Sequence, residues 1–158
     1  MPISPFLASL RSQVGHSLLL MPSATACVFD DDGRLLIALH ETGVWAPPGG
    51  AVDPDESPAD AAVRELREEL DLEIAVDGLI GAYGGPEFRV LYPNGDLTAY
   101  VLIAYGCRVV GDGVPVPDGE EVTDARFVTE EELSGYRLPS WTPLVLPDAF
   151  AWWRRHRA

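Results

Sequence analysis

The chain has 158 residues, 47 % of them apolar, which suits one domain with a real core and at most short terminal additions. Its 25 acidic residues outnumber 11 basic ones for a formal charge of -14. That charge excludes DNA, RNA and anionic lipid as expected partners, but not a small anionic substrate met through a cation.

In chain order, residues 4–14 place Phe6, Leu7, Leu10 and Val14 at helical spacing, with Ser4 and Pro5 suited to the helix start. This predicts a short amphipathic helix within residues 1–16, ahead of a main domain over 17–158. The helix packs on that domain or on a second subunit, so a homodimer is one expectation. SLLLMPSATACVFD reads as one or two strands, and RLLIALHE as the strand returning after the turn at Asp30-Asp31-Asp32-Gly33. TGVWAPPGG reads as loop and turn. Ser57 as cap and Pro58 at the first position then predict a helix to about Leu70, burying Ala59, Ala62, Val63, Leu66 and Leu70. EIAVDGLIGAY and EFRVLY read as strands, Asn94-Gly95 as a hairpin turn, and LTAYVLIAYGCRVV as a central strand. Residues 111–121 read as loop and DARFV as a strand, and Thr129 with Glu132 forms a capping box. A closing helix is expected from about Pro147, with Trp152 and Trp153 as core or dimer contacts. Many strands with few helices indicate a mixed α+β sandwich rather than a doubly wound sheet.

Cys27 and Cys107 each lie in an apolar run and lack metal-ligand spacing, so both read as buried small hydrophobes. No stretch reaches membrane-spanning length, and the Met1-Pro2 opening lacks the pattern of a leader peptide. A soluble, cytoplasmic protein is expected.

The chemistry concentrates in GGAVDPDESPADAAVRELREELDL. Glu65, Glu68 and Glu69 fall at i, i+3 and i+4, so three like charges meet near one side of the predicted helix. Such a run is either a solvated face paired with Arg64 and Arg67, or a grip on a positive ion. Gly49-Gly50 ahead of it, which lets backbone approach closely, and Glu56 favour a hard cation with oxygen ligands.

The spacing of Gly50, Glu56, Arg64, Glu65, Leu66, Glu68, Glu69 and Leu72 resembles the signature of the Nudix hydrolases, G-x5-E-x7-R-E-U-x-E-E-x-G-U with U aliphatic. WAPPGG resembles the aromatic-x-x-Pro-Gly-Gly run that precedes that signature. Asp71 stands where the pattern has glycine. That position ends the helix in a left-handed turn, which Asp tolerates with some strain. The resemblance implies a MutT-like domain with an α/β/α sandwich around a mixed β-sheet, plus the short terminal helices. It implies a metal-dependent hydrolase that uses water to cleave a diphosphate linkage in a nucleoside diphosphate-X or nucleoside triphosphate. Mg2+ or Mn2+ would be the cofactor and a nucleotide-type small molecule the substrate.

Carried onto this chain, the family's metal ligands fall on Glu65, Glu68, Glu69 and the main-chain carbonyl of Gly49, with Arg64 orienting a glutamate. Glu56 is either an outer ligand or a salt-bridge brace for Arg64. The general base is Glu65, Glu120 or Glu121; the last two read equally as a plain acidic loop. Trp45 either stacks on a base or belongs to the core. Phe88 and Arg89 are further candidates for substrate contact. The alternative is a Nudix-fold nucleotide-binding or regulatory domain without turnover. Retention of all three helix glutamates favours catalysis.

Overall fold

The computed structural model describes residues 3–157; Met1, Pro2 and Ala158 lie outside the described residues, and with them the chain's opening dipeptide. Helix α1 (Pro5–Val14) precedes strands β1 (Leu19–Val28), β2 (Leu35–His40), β3 (Trp45–Ala46) and β4 (Gly49–Ala51). Helix α2 (Pro58–Leu70) follows, then β5 (Ile74–Tyr83), β6 (Arg89–Leu91), β7 (Leu97–Val109), β8 (Val122–Val128) and helix α3 (Thr142–His156). The strands form a five-stranded sheet in the order β4-β1-β7-β5, with β6 also on β7, and a three-stranded sheet in the order β3-β2-β8. β1 runs parallel to β7 and antiparallel to β4, so the larger sheet is mixed. β5 and β6 pair with successive stretches of β7.

Alternation along β1 and β2 produces the layers. Ala24, Ala26 and Val28 on β1, with Leu36 and Ala38 on β2, pack with Ala61, Ala62, Leu66 and Leu70 of α2. The intervening Cys27, Leu35 and Ile37 pack with Leu146, Ala149 and Phe150 of α3. A strand covered on both faces must be apolar throughout, which is why ATACV and LLIA read as unbroken apolar runs. The result is the expected α/β/α sandwich with a mixed sheet. Burying a side chain such as Leu66 or Leu70 is worth roughly 1.5–3 kcal/mol relative to exposure, and both are fully buried.

Several local readings hold. The Leu7 N–H donates to Ser4 Oγ at 3.2 Å, and the Asp60 N–H to Ser57 Oγ at 3.1 Å. Thr129 and Glu132 form a reciprocal capping box, heading a single 3-10 turn at Glu132–Gly135. Asp71 ends α2 with φ 48 and ψ 40, a left-handed residue whose N–H returns to the Arg67 carbonyl.

Other readings need correction. Gly49 and Gly50 are not a turn but strand, paired with Thr25 and Ala24 of β1. A Cβ at Gly49 would strike the Ala24 carbonyl, and one at Gly50 the Glu65 carboxylate. Glycine is there for closeness rather than for φ. α3 begins at Thr142, with Pro147 inside it. Phe88 ends a 3-10 turn at Pro86–Phe88 rather than lying on a strand. The buried face of α2 is turned from the expected one: Ala61, Glu65 and Glu69 are buried with Ala62, Leu66 and Leu70, whereas Ala59 and Val63 are only half-buried.

Candidate active site

Arg64 organises the site. Its Nε and Nη2 donate to Glu56 Oε2 and Oε1 at 2.9 and 2.7 Å. Nη1 donates to Glu65 Oε1 at 3.0 Å and to Glu68 Oε2 at 3.1 Å, and Nη2 also reaches the Ala51 carbonyl at 3.1 Å. All five guanidinium donors are thereby used, a geometry that lysine cannot reproduce. Glu56 Oε1 accepts in addition from the Asp53 N–H at 3.0 Å. Glu56 is thus the brace that fixes Arg64 and the loop before α2, and the Arg64 hydrogen bonds hold its carboxyl below the usual carboxylate range.

Glu65 and Glu69 lie one helical turn apart and both are buried. One oxygen of each, Oε2, has no hydrogen-bond partner. A buried polar atom without a partner costs about 1–3 kcal/mol, so a fold that holds two side by side calls for an explanation. Burial pushes the Glu65 carboxyl up to about 7 against the pull of Arg64. Burial and the neighbouring Glu65 push Glu69 up to about 8.

The loop after β7 closes over this pair. The Val116 N–H donates to the Leu70 carbonyl at 2.7 Å and the Asp118 N–H to the Glu69 carbonyl at 2.9 Å, so the loop caps the end of α2. Asp118 Oδ1 accepts from the N–H groups of Glu120, Glu121 and Val122. Glu121, half-buried at the start of β8, adds its charge to both Glu65 and Glu69, whereas Glu120 is exposed. His40, the residue before which β2 breaks register with β8, feels the Glu121 charge, though burial outweighs it and lowers its pKa.

The remaining candidates lie apart from α2. Trp45 is half-buried, with Tyr136 edge-on at 5.1 Å and the Arg126 guanidinium 5.1 Å above its ring. Phe88 is 2 % exposed and stacked between Tyr83 and Trp141, so it is core and presents no free face to a base. Arg89 is exposed on β6. Sequence reasoning missed Asp118, although an Asp-Gly ahead of Glu120-Glu121 is an Asx-turn pattern. It also missed the burial of Glu65, for which the glycine at Gly50 was the signal.

Among the described residues, no three His, Cys, Asp or Glu side chains already converge as a metal-ligand set. The reason is visible in the hydrogen bonds, since Arg64 holds Glu65 Oε1 and turns Glu68 toward itself. The donor set still fits a hard cation: two buried carboxylate oxygens are unpartnered, and Glu68 is exposed enough to rotate. Mg2+ needs only one or two carboxylates beside water and substrate phosphates.

Fold and site together define an α/β/α protein whose helix-borne carboxylates are packed on a strand of glycines. The NUDIX domain family model matches residues 19–149, and the chain belongs to the Nudix family as a MutT-like hydrolase domain. A putative 8-oxo-dGTP diphosphatase of Bacillus subtilis is 44 % identical over 106 residues, 67 % of this chain and 64 % of that protein. A MutT-like protein of Streptomyces ambofaciens is 40 % identical over 113 residues, 71 % of this chain and 66 % of that one. The CTP pyrophosphohydrolase of Escherichia coli is 38 % identical over 68 residues, 40 % of this chain and 50 % of that protein. The chain therefore covers between half and two thirds of the length of these relatives. Among solved structures, the E. coli ORF135 protein superposes with a TM-score of 0.61 at 29 % identity, covering 89 % of this chain and 94 % of that one. A UDP-X diphosphatase superposes at 0.72 with 17 % identity, covering 100 % and 74 %, a likeness of fold alone. No helix among the described residues is long and apolar enough to cross a membrane.

Proposed function

We propose that this chain is a divalent-metal-dependent pyrophosphohydrolase, cleaving a diphosphate linkage in a nucleoside triphosphate or nucleoside diphosphate-X. The observation that carries it is the pair of unpartnered, buried carboxylate oxygens on Glu65 and Glu69. Glu65, Glu68, Glu69 and the Gly49 carbonyl would hold Mg2+ or Mn2+. A cation bound there would neutralise phosphoryl oxygens and lower the pKa of a coordinated water. Arg64, fixed by Glu56, keeps the Glu65 carboxylate oriented and offers Glu68 a second position when no cation is present. Glu121 is the residue we assign to accept the proton of the attacking water, since its charge is felt by both buried glutamates; Glu65 is the other candidate. The similarity to a putative 8-oxo-dGTP diphosphatase of B. subtilis and to the CTP pyrophosphohydrolase of E. coli supports a nucleoside triphosphate as substrate.

The second reading, a nucleotide-binding or regulatory domain without turnover, draws on the Arg64 bonds that already occupy Glu65 and Glu68. One experiment separates the two. Nucleoside triphosphates, oxidised triphosphates, nucleotide sugars and ADP-ribose are offered with Mg2+ and with Mn2+, to wild type and to Glu68→Gln. Metal-dependent turnover by wild type, falling on the order of 100-fold or more in the variant with its circular dichroism unchanged, supports the hydrolase. Equal turnover in both removes Glu68 from the ligand set. Stabilisation by metal and nucleotide with no turnover on any substrate supports the second reading.

A further inference from the structure

Glu121 can take a proton from an attacking water only if its loop is held in place, and the core does not hold that loop. No side chain from 111 to 120 is buried, and Val114 and Val116 are 71 % and 56 % exposed. Exposed loops of this kind open at little cost unless specific bonds fasten them. Here the fastening bonds meet at Asp118.

The main-chain N–H of Asp118 donates to the Glu69 carbonyl at 2.9 Å, and the Val116 N–H donates to the Leu70 carbonyl at 2.7 Å. Both acceptors belong to the last turn of α2, where carbonyls find no partner within the helix. The side chain of Asp118 binds the opposite way along the chain. Its Oδ1 accepts from the N–H groups of Glu120, Glu121 and Val122 at 3.0, 3.1 and 3.0 Å. The Gly119 N–H closes the same turn on the Val122 carbonyl at 2.9 Å, and the Glu121 carbonyl accepts from the Glu41 N–H at 3.0 Å. The Glu121 backbone is thus gripped on one side by Asp118 and on the other by the residue that follows β2. At the far end of the connection, Glu69 carries an unpartnered carboxylate oxygen. One residue therefore ties the backbone of a candidate metal ligand to that of the candidate base.

We propose that Asp118 is a positioning residue, which fixes Glu121 relative to Glu69 for proton transfer from the attacking water; this rests on the hydrolase reading above. Asp118 acts as an acceptor rather than as a charge, since three N–H groups converge on one oxygen and a carboxamide offers that oxygen too. Alanine offers none and would leave the three donors to water. A displaced base slows the chemical step without weakening substrate binding, so the loss falls on kcat rather than on KM.

The test compares Asp118→Ala, Asp118→Asn and Glu121→Gln at saturating Mg2+, on the nucleotide that wild type hydrolyses fastest, with circular dichroism confirming each fold. Asp118→Ala is expected to lower kcat about 10- to 100-fold with KM within about twofold of wild type. Order parameters of the Glu120, Glu121 and Val122 amides, from NMR relaxation, should drop from about 0.85 to below about 0.6. Asp118→Asn should recover most of both losses. In a Glu121→Gln background, Asp118→Ala should cost nothing further, because no base is left to misplace. A merely structural aspartate would cost the same on either background. Four results in an active enzyme overturn the inference: amides that stay ordered in Asp118→Ala, amides that loosen while kcat holds, Asp118→Asn as slow as Asp118→Ala, or losses that multiply in the double variant. Glu121→Gln at the wild-type rate overturns it as well, by removing Glu121 from the chemistry while hydrolysis itself stands. Wild type that turns over no nucleotide sinks the hydrolase reading and this inference with it.

Discussion

A Cβ on Gly50 would fall on the Glu65 carboxylate, and Glu65 is fully buried with Oε1 held by Arg64, so it has no free direction in which to retreat. Gly50→Ala should therefore displace Glu65 from the cation position. Thermal melts with and without Mg2+ should show a lower Tm without metal in Gly50→Ala, because the buried carboxylate is forced aside, and a smaller metal-induced rise in Tm. A full metal response in the variant would show that Glu65 can move aside at no cost. Phe88 makes the opposite point. Stacked between Tyr83 and Trp141, it is a packing residue, and Phe88→Ala should cost about 3–5 kcal/mol in urea unfolding. Turnover per folded molecule and KM should stay at the wild-type level. A raised KM at wild-type stability would return Phe88 to the substrate cleft.

At the scale of elements, α2 was legible because its signals are local. Ser57 and Pro58 mark its start, and Asp71 stands at its left-handed end. Placing Asp there costs backbone strain that glycine avoids, so Asp71→Gly should stabilise the fold by on the order of 1 kcal/mol, read as a shift in the urea midpoint at unchanged m-value. No shift would mean that the Asp side chain repays the strain locally. The elements that were misread depend on partners far along the chain. Gly49–Ala51 is a strand only because β1 lies beside it, and nothing within TGVWAPPGG announces that pairing. α3 runs through Pro147, a residue that removes one helical hydrogen bond at a cost of about 3 kcal/mol. Burial of Val145, Leu146, Ala149 and Phe150 on both sides of the proline offsets that cost, and local propensity does not register it. The site divides the same way. The spacing of its glutamates was visible, but which of them leave water depends on where β4 and the 110–121 loop pack.

Over the whole molecule, the pH dependence of stability carries the signature of the buried pair. An ordinary glutamate titrates near 4.5, but burial raises Glu65 to about 7, and burial together with the charge of Glu65 raises Glu69 to about 8. Glu121, Asp118 and Glu68 push Glu69 in the same direction. The folded state thus keeps protons that the unfolded chain has already released. The pair's contribution to stability is full below about pH 4.5 and falls as pH rises through 7 and 8, by about 1.4 kcal/mol for each unit of difference at each group. His40 acts in the opposite sense, since burial lowers its pKa from 6.5 and its contribution is lost as pH falls. From about pH 6.5 upward, therefore, the two glutamates set the slope. In EDTA, Tm should fall between about pH 6.5 and 8.5. Mg2+ should flatten that fall, because a cation takes the place of the protons and its affinity grows as they leave. Glu69→Gln, which keeps the shape of the protonated acid, should be more stable than wild type in EDTA at about pH 8.5 and should gain less from Mg2+. A variant with the wild-type slope in EDTA would show that Glu69 is already ionised when no metal is bound, and that the strain in this site lies elsewhere.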